Sequence, residues 1–482
     1  MSATIKNKAI RGIVWSAVEK FSRQGLMVLF SIIIARQLTP ADYGLVAMLN
    51  IFMVVAQIFV DSGFVEALIQ KQNRTDVDFS TTFWFNIGIA LLIYVILFLG
   101  SSLIAEFYDE PLLKDLFVWN ALIFIINAFR TVQQAKLNIS MDFRRQAWIS
   151  IIAVSVSGFV GFWMACNGYG VWTLVWQMLI YNLLNVVLLW ISTGWIPSLV
   201  FSFESFKSLF GFGSKLLLSR TLHALYMNGS YLLVGKFYSP VQTGLYSQAI
   251  TMTSFLPLVF NDVVARFAYP IECELQDDNT ALQYRFYQFL RFNAFVTFPL
   301  MIGLAVLAEP LVRLLLTEKW MEVVPLIQIL CFAWMWQPVS IMTWQILNAK
   351  RRSDYCLKSE VVKKVVAFII LFTSVWGGIT MLCIGWVFYC VLDLFIITIY
   401  TKRLVEGISF WKEMCILMPM LLRAIIMGGI VWCTRFLMLS DKYWLLVGIL
   451  TGVMSYSLIS WLTGSIEVYY LVSLIKKRLN KK

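Results

Sequence analysis

Charge is scarce in this sequence. Only 14% of its 482 residues are Asp, Glu, Lys or Arg, and there is a single histidine, His223; a soluble domain usually carries about 25% charged residues. One histidine excludes a His-cluster metal centre and the HExxH helix of zinc peptidases. Neither GxSxG nor GxxxxGK[ST] occurs, so the hydrolase nucleophile turn and the phosphate-cradling loop are both missing. The eight cysteines form no CxxC pair, and most lie in apolar stretches, where a free thiol behaves as a small hydrophobe rather than as half of a disulfide or a metal ligand. No region is polar enough to form a separate water-soluble domain, so a catalytic domain has nowhere to sit.

What is abundant is apolar surface: 60% of residues are hydrophobic and mean hydropathy is +0.77. This composition excludes most soluble enzymes, nucleic-acid binders and secreted scaffolds, and predicts a polytopic membrane protein. The basic excess, 39 Lys and Arg against 27 Asp and Glu, sits in short clusters between apolar runs. The positive-inside rule accounts for such clusters, so no nucleic-acid partner is expected.

A bilayer core needs roughly 20 apolar residues per helix. Phe79 to Ala105 is free of charge, and so is the whole run from Gln146 to Phe203, interrupted by the tight-turn signal Asn167-Gly168-Tyr169-Gly170. Working outward from these anchors predicts an all-α chain with about fourteen spans. They fall near 13–35, 42–65, 81–105, 115–136, 146–166, 170–193 and 210–235 in the first part of the chain. The rest fall near 242–266, 287–308, 323–348, 357–376, 379–401, 414–436 and 442–464. With both termini in the cytoplasm, most of the 39 basic residues face inward, leaving Lys20, Arg23 and Arg220 within spans. The longest expected connection runs from Arg266 to Tyr287. Phe203, Phe206 and Phe210 with Lys207 read as an amphipathic segment at the interface.

An internal repeat appears at an offset of 200 residues: Arg36/Lys236, Thr39/Ser239, Pro40/Pro240, Gly44/Gly244 and Leu45/Leu245 coincide. Two six-helix halves, 1–200 and 201–401, would then be parallel repeats around a central cavity. Residues 402–482 would add two more helices and a basic cytoplasmic tail.

Ionised side chains inside a bilayer cost about 2.5–3.5 kcal/mol each on insertion scales, and so usually face a cavity or a partner. The first span carries Lys20 and Arg23, with Glu19 spaced to pair with Arg23; the seventh carries Arg220 and His223, at positions 20 and 23 plus 200. A cationic lining of this kind suits a phosphate or pyrophosphate, and snorkelling to the surface is the plainer alternative. Asp61, Asp262 and Asp393 are candidates for Na+ or H+ coupling; the first two also read as helix-end caps, and Asp393 also as a partner for a Lys or Arg. Gln57, Asn86, Asn228, Asn293, Gln337 and Gln345 can meet sugar hydroxyls in such a cavity or hydrogen-bond between helices. Neither a metal nor an organic cofactor is expected.

The segment from Ile34 to Ala47, IARQLTPADYGLVA, resembles the LARxLTPxDYGLVA segment of bacterial polysaccharide exporters. Ser80 to Asn86 (STTFWFN), Gly168 to Val175 (GYGVWTLV) and Gly244 to Ala249 (GLYSQA) are similar to further segments of the same proteins. The resemblance is to the lipopolysaccharide, O-antigen and colanic-acid type flippases within the multidrug/oligosaccharidyl-lipid/polysaccharide exporter superfamily. It implies movement of an undecaprenyl-pyrophosphate-linked oligosaccharide across the bacterial inner membrane, with polysaccharide polymerase and chain-length machinery as neighbours. It also implies cationic cavity residues on the first and seventh helices, here Lys20, Arg23, Arg220 and His223. One departure is that relatives often carry an Asp where this chain reads Asn228-Gly229-Ser230-Tyr231. The rivals are a cation-coupled drug exporter, which would want an acidic cavity, and a membrane-embedded glycan polymerase or acyltransferase, which would want a long external loop or a catalytic His.

Overall fold

The computed structural model describes residues 22–61, 73–140, 142–207, 228–438 and 440–465, with Leu68 and Glu467; the side chains at 61, 262, 263, 265–267 and 353 fall outside that description. Among the described residues there is no strand, and ten helices are long and apolar enough to cross a membrane. The protein is a multi-pass membrane protein.

Six helices lead the chain: α1 (Ser22–Ala35), α2 (Pro40–Asp61), α3 (Asp76–Tyr108), α4 (Leu112–Ser140), α5 (Phe143–Cys166) and α6 (Trp172–Thr193). Their ends follow from local chemistry. At the start of α2, Asp42 Oδ2 accepts from Thr39 N at 2.8 Å and Thr39 Oγ1 accepts from Asp42 N at 3.4 Å, a capping box with Pro40 at the first helical position. Thr75 and Asp78 build the same box at the start of α3. The predicted turn between α5 and α6 holds Gly168 at φ +78° and Gly170 at φ +55°, where a Cβ would be strained. Leu92, Val95, Leu99 and Leu103 share one face of α3 and are 51–71% exposed. In water such a stripe would drive aggregation; here it is the face turned to lipid.

The chain divides into two compact units, up to Gly244 and from Leu245 onward. In the first, α4 packs against α2, α3 and α6. Ala56, Ala90, Ala121 and Ala128 are buried around Phe124 at these contacts, and small residues of this kind let helices approach where lipid supplies no hydrophobic drive. The linker after α6 folds under α3: Trp84 Nε1 donates to the Ser198 carbonyl at 2.9 Å, and the Phe206 ring lies 4.9 Å from Phe85. Phe203 stays 71% exposed, as the amphipathic reading expects, and Phe210 lies outside the described residues.

Also within the first unit, α7 (228–237) leads to the start of α8 (Pro240–Glu274). The beginnings of α2 and α8 meet backbone to backbone. A Cβ on Gly44 would collide with the Pro240 carbonyl and lie 3.0 Å from Gly244 N; one on Gly244 would collide with the Pro40 carbonyl and lie 2.9 Å from Gly44 N. The two segments matched in the sequence therefore touch one another through equivalent residues.

The second unit holds the rest of α8, then α9 (Asn279–Val306), α10 (Ala308–Leu315), α11 (Val323–Trp334), α12 (Gln337–Ala349), α13 (Ser353–Ser374), α14 (Gly378–Lys402), α15 (Phe410–Cys433) and α16 (Asp441–Leu462). α14 packs against α11, α12 and α13, and α9 against α15. Two sequence expectations change here. The span at 323–348 is there as one apolar stretch, Val323–Ala349, but it is broken between α11 and α12, because Pro338 in the first turn of α12 has no N–H and would clash with the carbonyl one turn back. The long connection from Arg266 to Tyr287 shrinks to Leu275–Asp278, because α8 and α9 continue past their apolar windows and Asp278 caps α9 through Thr280 N and Ala281 N, both at 3.0 Å.

Candidate functional site

Polar residues recur on α4 at helical spacing: Asn127, Arg130, Gln134 and Asn138. Residues three and four apart share a helix face; here Asn127 meets Gln57 of α2, while Gln134 and Asn138 meet Gln146 of α5. With Arg23 of α1, Gln146, Ile149 and Ser150 of α5, and Tyr181, Asn185 and Leu189 of α6, Arg130 and Gln134 line a cavity of about 180 Å3. The amides are ordered by one another: Gln134 Nε2 donates to Gln146 Oε1 at 3.0 Å, and Gln146 Nε2 donates to Asn138 Oδ1 at 3.0 Å. Asn185 is buried, and its Nδ2 has no hydrogen-bond partner among the described residues. Two guanidinium groups thus share a polar cavity to which the described lining residues contribute no carboxylate. The two guanidinium groups and the Asn185 amide give this cavity hydrogen-bond donors of the kind that suit an acceptor-rich ligand.

Of the four cationic residues singled out in the sequence, Arg23 lines this cavity; Lys20, Arg220 and His223 lie outside the described residues, as does Glu19. Asp61 and Asp262 are helical, but their side chains lie outside the description. Asp393 Oδ1 is 3.0 Å from Lys363 Nζ, which also contacts Glu360 Oε1 at 2.6 Å, and Tyr389 donates to Asp393 at 3.3 Å. The amides are divided between the units. In the first, Gln57 Oε1 accepts from Asn127 Nδ2 at 3.0 Å, and Asn228 Oδ1 accepts from Asn50 Nδ2 at 3.2 Å. Asn86 is fully buried there without a hydrogen-bond partner among the described residues. In the second, Asn293 accepts from the Thr297 hydroxyl at 3.0 Å, and the Oε1 atoms of Gln337 and Gln345 are buried without partners among the described residues.

Arg130 was absent from the sequence candidates because it falls near the end of its span, where a basic residue reads as a surface charge. The stripe from Asn127 to Asn138 is the signal that would have found it. Glu272, past the apolar window of α8, is a further buried acid: burial pushes its carboxyl up to about 8, and neither oxygen has a hydrogen-bond partner among the described residues.

The chain matches the family described as polysaccharide biosynthesis protein over residues 33–325. It is 26% identical over 385 residues to the lipopolysaccharide biosynthesis protein WzxC of Escherichia coli strain K12, covering 78% of this chain and 76% of that one. It is also 26% identical over 396 residues to the teichuronic acid biosynthesis protein TuaB of Bacillus subtilis strain 168, covering 80% of each. Its fold is similar to that of the lipid II flippase MurJ in an inward closed conformation, with a TM-score of 0.74 at 14% identity over 94% of this chain and 98% of that one. Matched over more than half its length and built from membrane-crossing helices, the chain belongs to the polysaccharide biosynthesis protein family.

Proposed function

We propose that this protein is a flippase that translocates an undecaprenyl-pyrophosphate-linked oligosaccharide across the bacterial inner membrane for surface polysaccharide synthesis. It is a transporter, not an enzyme. The observation that carries the reading is the polar cavity lined by Arg23 and Arg130: its guanidinium donors suit a phosphate-bearing ligand. Its volume of about 180 Å3 leaves room for the anionic group alone, so the glycan would extend into a wider aqueous path while the prenyl chain stays in lipid. WzxC and TuaB, named for the biosynthesis of other surface polymers, support a saccharide cargo.

In this reading the protein has fourteen spans, two six-helix halves at 1–200 and 201–401, and a tail at 402–482, with both termini cytoplasmic. The halves alternate access between the two sides. Lys20, Arg220 and His223 join Arg23 in holding the pyrophosphate, and Gln57, Asn86, Asn228, Asn293 and Gln337 offer amides to sugar hydroxyls. A driving Na+ or H+ would fall to Asp61 and Asp262, since Asp393 already holds the Lys363 ammonium. Polymerase and chain-length proteins would take the exported unit.

The test follows radiolabelled lipid-linked oligosaccharide in cells depleted of the protein, reading its accessibility to a periplasmic glycan-modifying enzyme. A complete but inaccessible glycan supports translocation. A glycan that is fully accessible but unpolymerised refutes it and favours a polymerase. Arg23→Gln with Arg130→Gln should leave membrane insertion intact and reproduce the depleted state.

A further inference from the structure

A second concavity lies at the lipid-facing side of the same helix pair. The turn between α5 and α6 runs the two helices back alongside each other, and Arg145 near the start of α5 reaches the Ser192 carbonyl near the end of α6, so these two helix ends lie together. A groove of about 560 Å3 opens there, within the roughly 300–1,000 Å3 typical of ligand sites. Its apolar lining is Trp148, Ile149, Ile152, Leu188 and Ile191. Trp148 is 53% and Ile191 74% exposed, which for a membrane protein means exposed to acyl chains. One end of the groove is charged, with the Asp142 carboxylate among its lining and two arginines beside it. Arg144 and Arg145 line it, beside the N-terminal N–H groups of α5, which carry the positive end of the helix dipole. Arg145 is fixed: its Nε is 3.0 Å from Asp142 Oδ2 and its Nη1 donates to the Ser192 carbonyl at 3.2 Å. A guanidinium has five N–H donors, so Arg145 keeps others for a ligand while remaining positioned.

We propose that this groove binds an anionic bilayer phospholipid, with its phosphate on Arg144 and Arg145 and one acyl chain along Trp148, Ile152, Leu188 and Ile191. Three observations converge on that occupant. The groove is apolar along Ile149, Ile152, Leu188 and Ile191, its two cationic donors are adjacent residues at the start of α5, and an exposed tryptophan follows them one turn on. The site is independent of the transported cargo. It still bears on the transport cavity, because Ile149 lines both the groove and the arginine cavity.

The experiment reconstitutes the full chain in phosphatidylcholine nanodiscs and titrates brominated phosphatidylglycerol, a quencher of tryptophan fluorescence, against brominated phosphatidylcholine. The signal is the difference between the native chain and Trp148→Phe, which removes one of 19 tryptophans without disturbing the arginines. Half-maximal quenching of that difference signal is expected at an at least fivefold lower fraction of the anionic lipid. Arg144→Gln with Arg145→Gln should abolish the preference, and the equal charge change Lys402→Gln with Arg403→Gln should preserve it. Equal quenching by the two lipids overturns the proposal, as does equal loss in both double variants. If undecaprenyl phosphate relieves the quenching and unbrominated phosphatidylglycerol does not, the occupant is a prenyl chain and the assignment to a bilayer lipid fails.

Discussion

Lys363 is the most informative single side chain to remove. Its ammonium bridges Asp393 of α14 and Glu360 of its own helix at 3.0 and 2.6 Å, and the Lys363 and Asp393 side chains are only 8% and 14% exposed. In Lys363→Met, Glu360 keeps Lys364 at 3.3 Å, so the stranded charge is that of Asp393. Breaking a buried pair by deleting one partner costs about 3–5 kcal/mol, whereas replacing both partners by neutral groups is often close to neutral. Lys363→Met with Asp393→Asn should therefore recover most of the loss. At roughly 2–4 °C per kcal/mol, the single variant should melt about 6–20 °C below the native chain, and the double variant within a few degrees of it. The assay is thermal unfolding of the purified chain in detergent, read as a double-mutant cycle. A single variant that melts like the native chain, or a double variant that loses the sum of both singles, would refute the premise that the pair is desolvated.

Other outcomes follow from features already described. Gly44→Ala and Gly244→Ala each push a methyl into an opposing carbonyl; each should cost about 1–3 kcal/mol by overpacking, seen as lower melting temperatures, and Gly25→Ala, with open space around its Cβ, serves as the control. Glu272 has a carboxyl pushed up to about 8 against an ordinary 4.5. The folded state then holds the extra proton between those values, so stability should fall as pH rises through that window, by about 1.4 kcal/mol per pH unit. Glu272→Gln should flatten that slope in melting curves taken from pH 5 to 8. Thr39→Ala removes the cap of α2 and should cost about 1 kcal/mol, measurable by the same unfolding assay.

Much of the fold was legible because membrane helices announce themselves. The charge-free run from Phe79 to Ala105 sits inside α3, and the Asn167–Gly170 turn separates α5 from α6 where the glycines require it. What escaped was anything set by contacts rather than by hydropathy. The break before Pro338 lies inside a stretch apolar enough to pass for one span. The helical ends at Glu274 and Asn279 lie in polar sequence that reads as loop, yet capping and packing hold them. The site was half visible: a depth argument singled out Arg23, but Arg130 needed the stripe on α4, and the choice of Lys363 over other bases for Asp393 depends on how α13 and α14 are rotated against each other. His223, Arg220 and Lys20 lie outside the described residues and rest on the sequence argument.

The meeting of Gly44 with Gly244 has a consequence for how this sequence can drift. Each glycine is forbidden a side chain by the carbonyl of the other segment's proline, so neither position can be relaxed by a change at the other glycine. Ordinary cores accommodate a larger residue on one side with a smaller one opposite. This contact has no smaller residue left to offer. Two codons 200 positions apart are thereby under the same prohibition, and a single substitution at either should meet the same intolerance.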